Sequence, residues 1–122
     1  MCRDLSELAN YAKVGNQAFR LVKSHTPGAY TFIFKATSQV PKRLAHPKRK
    51  TIGIRVPEHP ITLALLEELG EPMMSSSLIL PNEEIDFADI ESIRQLLEHA
   101  VDLIIDGGPT PLLPTTVVDL TE

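Results

Sequence analysis

Tyr30-Thr31-Phe32-Ile33-Phe34-Lys35-Ala36, read together with Thr51-Ile52-Gly53-Ile54-Arg55-Val56 and the run Ile61 to Leu69 that follows, decides the fold class. The first run is rich in β-branched and aromatic residues and the second alternates, so both predict strands. The third places Ile61, Leu65, Leu66 and Leu69 at helical spacing, with His59-Pro60 ahead and Gly70 behind. It predicts a helix with a buried stripe. Toward the N-terminus, Asp4-Leu5-Ser6-Glu7 has the form of a capping box, in which Asp4 accepts the first free amides and Glu7 reaches back. Val14-Gly15-Asn16 breaks that helix, a second runs from Gln17 to Ser24 with Ala18, Leu21 and Val22 on one face, and Pro27-Gly28 closes it. Toward the C-terminus, Met73 to Leu80 predicts a strand, Asp89 caps a helix through His99 with Ile90, Ile93, Leu96 and Leu97 inward, and Val101 to Ile105 predicts a strand closed by Gly107-Gly108. Thr115 to Leu120 is the last strand, and Pro81 to Ala88 is expected to be a mobile loop. Strands alternating with short helices define an α/β fold, and the short helices leave room for antiparallel pairs, so the sheet is expected to be mixed.

The 122 residues, 43% hydrophobic but only 5% aromatic, can build one aliphatic core and hence one domain. No apolar run approaches the roughly 18 residues of a membrane span, and no signal-like block follows Met1, so a cytoplasmic protein is expected. Cys2 is the only cysteine, which excludes an intramolecular disulfide and Cys-based zinc motifs. His25, His46, His59 and His99 have no metal-ligand spacing, and no protein-bound metal is expected. Charge is divided along the chain. Between Leu8 and Pro57 there are ten Lys and Arg residues and no acid, whereas Glu58 to Glu122 holds fourteen Asp and Glu against Arg94. Interdigitated surface charge explains scattered pairs. It explains Lys42-Arg43 and Lys48-Arg49-Lys50 less well, because like charges on one loop repel unless an anion lies close, and a phosphate-bearing partner is expected there.

Five stretches, taken in order, resemble the YrdC/YciO family of threonylcarbamoyl-AMP synthase-like proteins. They are Pro27-Gly28-Ala29-Tyr30-Thr31-Phe32-Ile33-Phe34-Lys35, Lys50-Thr51-Ile52-Gly53-Ile54-Arg55-Val56-Pro57, His59-Pro60, Pro72-Met73-Met74-Ser75-Ser76-Ser77 and Pro114-Thr115-Thr116-Val117-Val118-Asp119-Leu120. The opening Met-Cys-Arg-Asp-Leu-Ser-Glu-Leu is most similar to the YciO branch. The resemblance implies a twisted, mainly parallel sheet flanked by helices around a positively charged cavity. In that cavity ATP with Mg²⁺, L-threonine and bicarbonate become threonylcarbamoyl-adenylate and pyrophosphate, for modification of tRNA. It also implies binding of double-stranded RNA.

Carried over residue by residue, the resemblance makes Arg55 and Ser75 contacts of L-threonine and makes Thr51, Ser77 and Thr116 contacts of nucleotide. A planar guanidinium suits a carboxylate, and the even spacing of Thr51 and Arg55 puts both on one face of a strand. The bland alternatives are an edge ion pair for Arg55 and hydrogen-bonded packing for the hydroxyls. Lys42, Arg43, Lys48, Arg49 and Lys50 form the RNA or phosphate patch. Two departures bear on activity. Where the synthases carry Ser-x-Asn this chain has Ser77-Leu78-Ile79, and the family's Tyr-Pro-Thr-Asp and Lys-x-Arg elements are not among its residues. The chain is therefore expected to be a partial YrdC-like domain over residues 1–122, without appreciable synthase activity of its own. Its open sheet edges are expected to favour self-association. The competing expectations are a non-catalytic nucleotide- or RNA-binding module of the same fold, and a fragment without a function of its own.

Overall fold

The computed structural model describes residues 1–79, 85–86, 89–108 and 115–121. The chain divides into two compact units, one of Met1–Ser75 with Thr115–Glu122 and one of Ser76–Pro114.

The larger unit opens with α1, Leu5–Tyr11. Asp4 caps it, its Oδ1 accepting the Glu7 amide at 2.9 Å. Glu7 reaches back one residue further than a standard capping box, accepting the Arg3 amide at 3.0 Å. Its carboxylate is buried, with Arg3 Nε 3.5 Å away. The break at Gly15 separates α1 from α2, Asn16–His25, whose Val22 is buried. Three strands follow: β1 Tyr30–Lys35, β2 Thr51–Ile54 and β3 Thr116–Asp119. Their order is β2-β1-β3. β1 pairs antiparallel with β2, Phe32 opposite Ile54 and Phe34 opposite Ile52. It pairs parallel with β3, Tyr30 opposite Thr116 and Phe32 opposite Val118. The fold is thus α/β with a mixed sheet, one parallel and one antiparallel pairing among the described strands.

Alternation places Phe32, Phe34 and Ile54 on one face, where they join Cys2, Leu8, Ala12, Val22 and Val56 in the core under α1 and α2. Behind β2 comes α3, Pro60–Leu69, with Pro60 in its first turn, where a missing N–H costs nothing. The His59 ring accepts the Ile61 amide at 3.2 Å. Gly70, at φ 74°, ends the helix in a left-handed conformation that suits glycine.

In the smaller unit α4 spans Ile90–Leu97, shorter than the expected run to His99. Asp89 caps it, accepting the Ser92 amide at 3.2 Å and the Ser92 hydroxyl at 2.7 Å. Glu91, Arg94 and Glu98 form an ion-pair ladder along its surface, with separations of 3.3 and 3.7 Å.

Three expectations are corrected. Residues 73–79 and 101–105 are not strands, because a β-prone sequence makes a strand only where a neighbouring backbone completes a ladder. The expected α3 stripe buries Leu66 alone, with Ile61, Leu65 and Leu69 at 36, 41 and 51% exposure. In α4, Ile93 and Leu97 are half-buried while Ile90 and Leu96 are exposed. Helical periodicity identifies an apolar face but not the element that covers it. Leu80 and most of the expected Pro81–Ala88 loop lie outside the described residues.

Candidate functional site

The face of the sheet turned away from the core carries Arg55 and, of the hydroxyls singled out by the sequence, Thr51. Since Phe32 and Phe34 point into the core, Thr31, Ile33 and Lys35 of β1 take the other side. Thr51 and Gly53 lie opposite Lys35 and Ile33, and Arg55 follows between the buried Ile54 and Val56, so Thr51 and Arg55 share this face. Gly53 leaves the surface low between them: a Cβ there would rest 3.5 Å from the Thr31 methyl, an ordinary contact. On the far strand the register puts Val117 opposite Thr31 and Asp119 opposite Ile33, with Thr115 one step before β3 on the same face. The Thr31 and Thr115 hydroxyls are 2.8 Å apart.

Thr116 is therefore turned the other way. It pairs with Tyr30, which packs on the core face, and it does not join Thr51 and Arg55. The threonine that does is its neighbour Thr115. Thr31 and Thr115 are the residues the sequence reading missed. Alternation in β1 alone would have pointed to Thr31, whereas Thr115 required the register with β3.

Arg55 is half-buried, and its Nε is buried without a hydrogen-bond partner, the only side-chain nitrogen or oxygen of that kind among the described residues. No carboxylate lies within ion-pair distance of it among those residues, so the edge ion pair is not formed. Beside it, the Met1 amino group donates to the Met73 carbonyl at 2.6 Å. Burial holds the pKa of that amino group below its ordinary value, and the Arg55 charge lowers it further, against the opposing pull of Cys2 and Glu7. Asp119 also has a lowered pKa, chiefly because the Thr121 hydroxyl and amide donate to its carboxylate, with a smaller contribution from Arg49.

The serine run divides between the units. Ser75 belongs to the larger unit and lines, with Arg43, a cavity of about 660 Å³ beside β2, to which Thr51 and Arg55 do not contribute. Ser77 belongs to the smaller unit, and the segment is not the expected strand. Both are exposed.

Lys42, Arg43, Lys48, Arg49 and Lys50 stand on the connection between β1 and β2, all exposed. His46 organises its second half. Its amide donates to Thr51 O at 2.9 Å and its carbonyl accepts from the Lys50 amide at 2.8 Å. Its Nδ1 accepts the amides of Lys48 and Arg49 at 3.2 and 3.0 Å. Lys50 completes the turn at φ 54°. None of the five cations is within 4.0 Å of a carboxylate among the described residues, so the turn holds them together without neutralising them.

An antiparallel hairpin with a third strand added in parallel, helices on one face and an arginine with threonines on the other, describes an α/β domain of the YrdC-like fold. The chain belongs to the Sua5/YciO/YrdC family: the family model described as "Telomere recombination" matches residues 1–122. It is 61% identical over all 122 residues to the uncharacterized protein YciO of Escherichia coli (strain K12), and spans 59% of that relative's length. The crystal structure of E. coli YciO superposes on the whole chain with a TM-score of 0.93. More distant is the threonylcarbamoyl-AMP synthase of Bacillus subtilis (strain 168), 31% identical over 121 residues, which cover 98% of this chain and 35% of the synthase. The structure of P. abyssi Sua5 complexed with L-threonine matches 99% of this chain and 36% of its own, at 27% identity and a TM-score of 0.84.

Proposed function

We propose that this chain supplies the threonine- and nucleotide-binding face of a threonylcarbamoyl-AMP synthase-type protein. In that reaction the amino nitrogen of L-threonine bonds to the bicarbonate carbon with loss of water. A carbamate oxygen then attacks the α-phosphorus of ATP and pyrophosphate leaves. The reactants carry a carboxylate, a carbamate and a triphosphate, so the protein's task is to present fixed donors to developing negative charge. The observation that carries the reading is Arg55, whose buried Nε has no acceptor among the described residues. A buried guanidinium nitrogen is stabilised by an acceptor, and a carboxylate offers one in matching bidentate geometry. Thr31, Thr51 and Thr115 on the same face supply hydroxyls for the carboxylate and nucleotide. Mg²⁺ arrives with the triphosphate.

The relatives named as threonylcarbamoyl-AMP synthases, and the P. abyssi neighbour complexed with L-threonine, support threonine and ATP as substrates. Ile79 stands where an amide would orient the nucleotide, and neither Tyr-Pro-Thr-Asp nor Lys-x-Arg occurs in the sequence. Binding therefore outlasts catalysis in this chain. Titration calorimetry of L-threonine and Mg²⁺-ATP should show binding that Arg55→Ala weakens about tenfold or more and Arg55→Lys fails to restore. Equal affinities for the three proteins would refute the assignment, as would pyrophosphate release at the rate of an intact synthase.

The basic turn favours a second reading, an RNA-binding surface serving tRNA modification in the cytoplasm. Replacing Lys48, Arg49 and Lys50 by alanine should reduce the salt dependence of RNA binding by a log–log slope of about two to three, and should spare threonine binding. Arg55→Ala should do the reverse.

A further inference from the structure

The connection between β1 and β2 ends in a turn with a single side-chain acceptor at its centre. His46 Nδ1 takes the amides of Lys48 and Arg49 at 3.2 and 3.0 Å. The His46 carbonyl takes the Lys50 amide at 2.8 Å, and the His46 amide ties the turn to β2 through the Thr51 carbonyl at 2.9 Å. One residue thus holds all three amides of Lys48-Arg49-Lys50. The conformation it imposes is not one these residues favour. Lys50 stands at φ 54°, where a side chain is disfavoured, and three adjacent cations are gathered on one turn.

A ring nitrogen accepts hydrogen bonds only while it is unprotonated. When the imidazole gains a second proton, Nδ1 becomes a donor facing two donors, and both of its bonds are lost together. The surrounding charges push the same way. On the connection itself Lys42, Arg43, Lys48, Arg49 and Lys50 are all exposed cations. From the strands, Lys35 of β1 lies opposite Thr51. Asp119 of β3 is the acid linked to the turn: its carboxylate is held chiefly by the Thr121 hydroxyl and amide, and the Arg49 charge also acts on it. Among the described residues the one histidine within 4.0 Å of a carboxylate is His99, so no ion pair rewards an imidazolium at position 46.

We propose that His46 is a proton-operated latch for the basic turn. Neutral, it gathers Lys48, Arg49 and Lys50 into one cationic cluster; protonated, in mildly acidic solution, it releases them. The backbone bonds from His46 to Lys50 and Thr51 still close the loop, but the amides of Lys48 and Arg49 are left without a fixed partner. The sign is opposite to that of simple electrostatics, in which an added proton strengthens a basic surface. The latch is a property of the free chain and does not depend on threonine, nucleotide or RNA binding.

The test is amide hydrogen exchange on the purified chain, without ligand, at about pH 7.5 and about pH 5.5. Each amide is rated against an unstructured chain at the same pH, so that the pH dependence of the exchange chemistry cancels. Protection at Lys48 and Arg49 should fall about fivefold across this interval, the loss of one ordinary hydrogen bond at each, while the β1 amides keep theirs. His46→Asn places a carbonyl oxygen, which does not titrate, where Nδ1 stands, and its turn should be protected at both pH values. His46→Ala should leave both amides open at both. Because residue 46 is exposed, neither substitution disturbs the core. Unchanged protection in the natural sequence overturns the proposal, as does an equal fall in His46→Asn, which would assign the titration to another group. A loss shared by the β1 amides also overturns it, since acid would then be loosening the whole unit.

Discussion

Arg55 and Cys2 are neighbours through one hydrogen bond, the Cys2 amide to the Arg55 carbonyl, yet burial acts on them in opposite ways. For Arg55 it leaves a charged donor short of an acceptor, a deficit of roughly 1–3 kcal/mol that a bound carboxylate would remove. For Cys2 it favours the neutral thiol and pushes its pKa up from 9.0 to about 11, with the carboxylates of Glu7 and Asp4 adding to the rise and the terminal amino group opposing it. A thiol whose folded pKa is raised adds stability that is fully present below the unfolded value and is lost as pH rises through the folded one. Denaturant midpoints should therefore fall between about pH 9 and about pH 11. The fall should be on the order of 1–2 kcal/mol, and Cys2→Ala should remove that part of the pH dependence. At this scale the sequence placed Thr51 and Arg55 on one face, because period-two spacing fixes which side chains share a face of one strand. It named Thr116, which lies on the other face, and not Thr115. That choice depends on the register with β1, where a one-residue shift exchanges the two faces.

The elements separate by whether a partner completes them. Tyr30–Lys35, Thr51–Ile54 and Thr116–Asp119 were all legible as strands, and each has a ladder neighbour. Residues 73–79 and 101–105 have the same kind of composition and are not strands, since composition does not provide the adjacent backbone. The capping residues Asp4 and Asp89 were legible because a cap is a local bond, spanning three residues. The apolar stripe of α3 was legible as a pattern and misleading as burial. Leu66→Ala should cost about 2–5 kcal/mol, whereas Leu65→Ala, at a largely exposed site on the same helix, should stay within roughly 0.5 kcal/mol. Urea denaturation of the two variants makes the comparison, and equal losses would mean that α3 buries a broader face than Leu66 alone.

At the scale of the whole molecule, the hydrophobic core among the described residues belongs to one unit. Phe32, Phe34, Leu8 and Val22 are fully buried there, whereas α4 has no buried residue. Amide hydrogen exchange should reflect this, with the α4 amides exchanging about tenfold or more faster than those of β1. Uniform exchange across both would indicate a single cooperative unit. The division of charge along the sequence does not resolve into contacts: no Lys or Arg between Leu8 and Pro57 lies within 4.0 Å of a carboxylate among the described residues, and the Arg ion pairs found there use Arg3 and Arg94.

The turn built around His46 has a consequence for what its surface can receive. Two amides point at Nδ1, so that nitrogen must keep its lone pair, and the neutral imidazole carries its proton on Nε2. With an NH at the ring's other nitrogen and ammonium and guanidinium groups around it, these side chains at the tip of the hairpin are all donors. Oxyanions and carbonyl oxygens are suited to it, and a soft cation looking for an imidazole lone pair finds none to bind.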